Sequence, residues 1–183
     1  MAAEKLKFKI KLYSTFWQKP PHVKIKILEE NDLDKSKNYF DTQSNKPILD
    51  IDPNYYDNVI RGKEESPTII EFDHFFEEEK KYKLQMIRSG KTADQTIVDK
   101  NNNIDRDQLL HIKSIEIDDI DIGSLVFDGI YTPIYPEPWY SQQVKANKMP
   151  EQSFKNATTL GHNGTWEIGF TTPFYMWLLE NLY

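Results

Sequence analysis

Asp99, Asn101, Asn103, Asp105 and Asp107 fall at every second position of one short stretch. That spacing can turn several oxygens toward one hard cation, with backbone carbonyls completing the shell, so these five are the candidate ligands of a calcium ion. The stretch is no helix–loop–helix calcium site, because that motif needs a glycine at its sixth position and a bidentate acid at its twelfth, where this chain has Ile104 and Leu110. Asn and Asp also dominate ordinary turns, since their side chains cap their own backbone and tolerate left-handed geometry. A calcium loop and a plain connection between strands are therefore both open. Asp118, Asp119 and Asp121 add further oxygens if the fold brings them to the same place.

The remaining reactive side chains point away from catalysis. His22, His74, His111 and His162 occur singly, without the i, i+4 pair of a helical metal site. No nucleophile elbow, phosphate-binding loop or dinucleotide fingerprint occurs. Pairs of acids such as Glu71 with Asp73, or Asp118 with Asp119, have the chemistry of a glycoside hydrolase, but their separation in space is not given by sequence. With no cysteine, thiolate nucleophiles, disulfides and cysteine metal sites are excluded. No catalytic residue is assigned, and polysaccharide hydrolysis is the least favoured reading. Rings are a different matter. Tyr39, Tyr55 and Tyr56 punctuate a long polar excursion from Glu29 to Glu65 and are the candidates for stacking on a sugar face.

These groups must be held by strands. Leu6, Phe8, Ile10 and Leu12 alternate with lysines, as do Val23, Ile25 and Ile27, the period-two signature of strands with one buried face. The two runs are placed to pair across Lys19-Pro20-Pro21. Thr68–Phe72 and Tyr82–Ile87 flank Glu77-Glu78-Glu79, which reads as a solvated hairpin end, and Leu109–Ile117 resumes strand character. Asn163-Gly164 suits a primed hairpin turn ahead of a last strand, Trp166–Phe170.

The segment Tyr131-Thr-Pro-Ile-Tyr-Pro-Glu-Pro-Trp-Tyr140 carries three prolines and four aromatics, which argues for an extended arm and against a helix or central strand. Thr172 and Pro173 then open a helix that is apolar on nearly every side. Aromatic surface in both segments needs cover, so Tyr131, Tyr135, Trp139, Tyr140, Phe174, Trp177 and Leu178 are the candidate subunit contacts.

A net charge of −6 disfavours a phosphate-driven nucleic-acid binder. No window approaches the roughly 18 apolar residues of a membrane span, and the first residues lack the apolar core of a signal peptide. The expectation is a soluble product made in a cytoplasm, where Asn156-Ala-Thr158 and Asn163-Gly-Thr165 meet no glycosylation machinery.

From Gly90 to Ile122, GKTADQTIVDKNNNIDRDQLLHIKSIEIDDIDI, the chain resembles a segment of small virion proteins of contractile-tailed phages, especially those infecting marine cyanobacteria. The resemblance continues through Tyr131–Trp139, Leu160–Trp166 and Pro173–Leu182, roughly the C-terminal half, and does not reach the part before Thr68. All but Arg61, Arg88 and Arg106 of the 23 basic residues are lysines, and isoleucine far exceeds valine, a usage in keeping with AT-rich genomes. The middle segment is also similar to compact calcium-dependent carbohydrate-binding modules of the xylan-binding type, though their sugar-site aromatics have no residue-by-residue match here.

The resemblance implies a virion structural protein of the tail, baseplate or capsid, made in the host cytoplasm. Its partners would be other virion proteins, in a homo- or hetero-oligomer, with a glycan as a further possibility and neither nucleic acid nor membrane. The fold expected is mainly β, an antiparallel sandwich of jelly-roll or lectin-like type with an extended aromatic arm and a short C-terminal helix. Residues 1–130 would form the sandwich with an insertion around 29–65, and residues 131–183 the arm, last strand and helix, packed on the sandwich or on a neighbouring subunit.

Overall fold

The computed structural model of the protein describes residues 2–30, 40–41, 46–47 and 58–182. Alternation becomes two antiparallel sheets. The first contains β1 (Ala3–Thr15), β6 (Thr68–Glu77), β10 (Leu109–Ile117), β11 (Ile120–Asp121) and β14 (Thr159–Leu160), in the order β11-β10-β1-β6 with β14 also on β10. The second contains β2 (His22–Glu29), β5 (Asn58–Val59), β7 (Lys81–Ser89), β12 (Ile130–Ile134), β13 (Phe154–Lys155) and β15 (Asn163–Thr171), in the order β13-β12-β15-β7-β2-β5. Two small ribbons complete the strands: β3 (Phe40–Asp41) with β4 (Lys46–Pro47), and β8 (Ile97–Val98) with β9 (Ile104–Arg106).

The even residues of β1 and the apolar residues of β2, β7 and β15 face one another in a single core. Phe8 stacks on Phe72 of its own sheet at 4.9 Å and reaches Phe170 of the other at 5.9 Å. Phe76 meets Tyr82 at 4.9 Å and Phe170 at 5.7 Å, edge to face. Each fully buried Phe stabilises the fold by about 2–3 kcal/mol. The lysines of β1 lie on the wet face in a ladder with acids of its neighbours, Lys5–Asp73 at 2.5 Å, Lys9–Glu71 at 3.6 Å and Lys11–Glu116 at 2.6 Å. Such exposed pairs contribute little energy each but keep the face charged and soluble.

Several local expectations are corrected by how strands are shared between sheets. β1 and β2 do not pair; β1 lies between β10 and β6, and β2 between β7 and β5. β6 and β7 likewise belong to opposite sheets, so Glu77-Glu78-Glu79 turns a corner between layers and closes no hairpin. Period-two patterning reports which face is buried and is silent about which strand lies alongside. Asn163-Gly164 forms no hairpin turn either, because it begins β15 after the chain has crossed from β14 in the first sheet. Gly164 is required there for space: a Cβ on it would stand 2.3 Å from the Thr132 carbonyl oxygen. Gly129 is required for a similar reason, since its Cβ would overlap the Trp166 indole at 2.2 Å.

The expected arm is absent. Tyr131 to Ile134 lie within β12, with Pro133 opposite Gly164, and Trp139 opens the helix α1 (Trp139–Lys145) immediately after Pro138. β12 accommodates Pro133 because β13 pairs only with Ile130 and Tyr131, which leaves that side of the strand open at the proline. Within residues 131–183, β15 lies between β12 and β7 inside the second sheet. The C-terminal helix α2 (Phe174–Leu182) is present as expected.

The sandwich has two ends. One gathers the β6–β7 turn, the Asp118-Asp119 turn after β10, and α2. The other gathers the start of β10, the end of β7, the β8–β9 ribbon and the start of β15. Asp118 and Asp119 thus stand a full strand length, about 30 Å, from Asp107, and the two acidic groups do not converge.

Candidate functional site

The second end holds a pocket of about 460 Å³. Its walls come from the turn after β7, with Lys91, Thr92, Ala93 and Thr96, from the exit of β12, with Ile134, Tyr135 and Pro136, and from Trp139, His162 and Asn163. Pairing of β12 with β15 brings Ile134 opposite Asn163, and pairing of β15 with β7 brings Gly164 opposite Arg88. Three separate pieces of chain are thereby joined at one mouth.

Two clamps fix the positions of the side chains. The Asn163 carboxamide accepts from the Lys91 backbone N–H at 3.0 Å and donates to the Lys91 carbonyl at 3.0 Å. The buried Tyr131 hydroxyl accepts from the His162 backbone N–H at 3.0 Å and donates to the His162 carbonyl at 2.6 Å. His162 is therefore held with its ring against Tyr135, at 5.0 Å edge to face, and near Trp139, at 6.5 Å. Tyr135 and Trp139 are 5.3 Å apart, and the Tyr135 hydroxyl donates to the Glu151 carbonyl at 2.6 Å. Trp139 keeps 41% of its surface exposed. The result is a fixed group of three rings of which Trp139 is exposed and Tyr135 and His162 are half-buried.

The polar wall is built on Lys91. Its ammonium donates to Asp107 Oδ1 at 2.6 Å and to the Gly161 carbonyl at 2.5 Å, while Asp107 also accepts from Thr96 Oγ1 and from the Gln108 backbone N–H, both at 2.8 Å. Burial raises the Asp107 carboxyl, but the hydrogen bonds from Lys91, Thr96 and Gln108 outweigh it and hold the group below the usual carboxylate range. Burial lowers Lys91, against the pull of Asp107. Burial also lowers the His162 imidazole, helped by the charges of Lys91 and Arg88, so the ring is neutral at neutral pH.

Deeper in the same end lies Arg88, 1% exposed. Its Nη2 donates to the Gln108 carbonyl at 2.6 Å and to Gln108 Oε1 at 3.0 Å, whereas Nε and Nη1 have no acceptor among the described residues. Burial pushes the guanidinium down to about 10, which leaves it charged at neutral pH.

The five expected calcium ligands are distributed over two environments. Asp99 caps the tip of the β8–β9 ribbon: Oδ1 accepts from the backbone N–H of Asn101 at 2.7 Å and of Asn103 at 2.9 Å, and Oδ2 accepts from Asn103 Nδ2 at 3.2 Å. Asp105 follows on β9, exposed, with Arg106 Nε at 3.8 Å. Asp107 lies behind the pocket wall, bonded to Lys91. Among the described residues no group of three or more His, Asp or Glu side chains could hold a metal ion.

Of the expected subunit contacts, Tyr131, Phe174 and Leu178 are buried in this chain's own core, at 3%, 0% and 6% exposed. Tyr135 and Trp139 line the pocket, Tyr140 stacks on Tyr135 at 6.1 Å, and Trp177 packs partly buried against the core. Tyr39, Tyr55 and Tyr56 lie outside the described residues. Sequence reasoning singled out Tyr135 and Trp139 for their bulk but had no reason to join them to His162, Asn163 and Lys91. The signal available was the shared register of β12, β15 and β7, which pattern alone does not reveal.

Comparison with family models, with curated proteins and with solved structures finds no match to this chain.

Proposed function

We propose that this chain is a non-enzymatic component of an assembled phage particle, a β-sandwich that recognises a carbohydrate in the pocket between β7, β12 and β15. The observation that carries the reading is the set of rings Tyr135, Trp139 and His162 around a cavity of about 460 Å³. Such a volume suits one or two sugar rings, whose apolar faces lie on aromatic side chains while a few fixed polar groups read the hydroxyl edges. Binding without turnover fits the pairing of Lys91 in the wall with Asp107 behind it, which commits both charges to each other. The phage setting rests on the resemblance of the C-terminal half to small virion proteins.

A glycan array, followed by titration calorimetry, tests the reading. Wild type should retain glycans and Trp139→Ala should lose at least ten-fold in affinity with its melting temperature unchanged; a silent array overturns it.

Subunit contact is the second reading, favoured by one feature of α2. Phe174 and Leu178 turn inward, while Tyr175, Leu179 and Leu182, spaced i, i+4 and i+7, form an exposed apolar stripe. Sedimentation across a hundred-fold concentration range should show self-association that Leu179→Asp abolishes.

A further inference from the structure

The charged side chains in and directly behind the pocket wall are two cations and one carboxylate. Lys91 lines the cavity and Arg88 lies behind it, against the single carboxylate of Asp107, and Asp107 is already 2.6 Å from the Lys91 ammonium. Arg88 is the unusual member. It is 1% exposed, it donates to the neutral carbonyl and carboxamide of Gln108, the Tyr131 hydroxyl and the Asp107 charge act on it from nearby, and its Nε and Nη1 have no acceptor within hydrogen-bond distance among the described residues. A buried cation with neutral partners costs free energy that a carboxylate would offset, and no described acid stands in hydrogen-bond contact with it.

The charge also acts on its neighbours, since Arg88 contributes to lowering both Lys91 and His162. Both residues line the pocket, so the field of Arg88 reaches the space a ligand would fill. Acids do stand near the rim, namely Asp94, Glu137 and Glu151, but all three are exposed. Their potential is screened by water roughly four-fold more than that of a group in the protein's interior.

Taking the carbohydrate reading of this pocket as its basis, we infer that the preferred ligand is an acidic saccharide, a sugar ring bearing a carboxylate. Its apolar face lies on Trp139 and Tyr135. Its carboxylate lies toward Lys91, whose ammonium has one N–H beyond the two donated to Asp107 and Gly161. The acid supplies a counter-charge to Lys91 and to the buried Arg88 behind it.

The test is calorimetric titration of the full chain with matched methyl glycosides: uronates of the gluco, galacto and manno series, their methyl esters, and the corresponding neutral hexoses. At least one uronate should bind ten-fold or more tightly than both its ester and its neutral hexose. Raising salt from 0.05 to 0.5 M should narrow the gap. In Lys91→Gln, checked for an unchanged fold by circular dichroism, the ratio of uronate to hexose affinity should fall toward one, and a ratio that stays ten-fold or more overturns the assignment of the carboxylate to Lys91. Ester or hexose binding as tightly as the acid overturns the inference and leaves the carbohydrate reading standing. Binding by none of the three overturns both.

Discussion

Lys91 and Asp107 form the ion pair that backs the pocket, with Nζ 2.6 Å from Oδ1 and side chains 10% and 16% exposed. The pair ties the turn after β7 to the start of β10, and Thr96 and the Gln108 N–H converge on the same carboxylate oxygen. Asp107→Ala strips all of these donors of their acceptor and leaves Lys91 charged and largely enclosed. Breaking a fully buried pair costs about 3–5 kcal/mol, and the residual exposure here brings the expectation to about 3 kcal/mol. Urea unfolding measures it. Removing the second charge as well, in Asp107→Ala with Lys91→Met, should recover at least about 1 kcal/mol; a double variant no more stable than the single shows that charge is not what the pair handles.

Stability should also fall on acidification, in two steps of the same sign. His162 and His111 both sit below the usual histidine range, chiefly through burial. A histidine lowered in the folded state binds its proton more readily when unfolded, so its contribution to stability is lost as pH falls through about 6.5. Asp107 is held below the usual carboxylate range, so its contribution is present above about pH 4 and disappears as pH falls further. Denaturation at fixed temperature from pH 8 to 3 should show a first decline that sets in below about 6.5 and that His162→Gln reduces, and a second below about 4 that Asp107→Asn reduces. A profile flat between 8 and 5 contradicts the burial assigned to the imidazoles.

How far these relationships could be read in advance depends on their range in sequence. Alternation at Leu6–Leu12, Val23–Ile27 and Leu109–Ile117 marks three strands and their buried faces, because side-chain direction in a strand is a local property. Partner choice is not local. Val23 pairs with Arg88 and Phe8 with Ile117, and no pattern within a run of ten residues distinguishes these from a hairpin of β1 with β2. The proline-rich stretch misled for a related reason: Pro133 suits a strand whose outer neighbour stops short, and the length of that neighbour, β13, is decided twenty residues later. Of the pocket, the aromatics were legible as bulky groups needing cover. The clamps of Tyr131 on His162 and of Asn163 on Lys91 span 31 and 72 residues and became visible only once the strands were aligned.

The Asp99 turn makes a distinct prediction about metal. Its carboxylate already accepts three N–H donors from Asn101 and Asn103, and Asp107 is engaged by Lys91. Melting temperature should therefore be the same in chelator and in millimolar calcium. A bound ion would instead raise it by mass action, by an amount that grows with calcium concentration. Asp99→Ala should destabilise the ribbon equally in both media, read as faster amide exchange at Asn101 and Asn103. A calcium-dependent rise that Asp105→Ala abolishes would restore the five-residue site.

At the opposite end of the sandwich, Glu4 on β1 reaches the first turn of α2, its Oε2 accepting from the Phe174 backbone N–H at 2.9 Å. The first N–H groups of a helix have no partner within it, and a carboxylate there both satisfies one and opposes the positive end of the helix dipole. Glu4→Gln keeps an acceptor and removes the charge, so it should cost about 0.5 kcal/mol, and the loss should shrink as salt is raised. Glu4→Ala removes both and should cost about 1–1.5 kcal/mol, of which the excess over Glu4→Gln is independent of salt. Because α2 covers the core through Phe174 and Leu178, the loss should appear first as faster amide exchange in the opening turn of the helix, ahead of any change in β10 or β7. Exchange rising uniformly through both sheets would mean that Glu4 supports the sandwich as a whole and does not act as the cap of this helix.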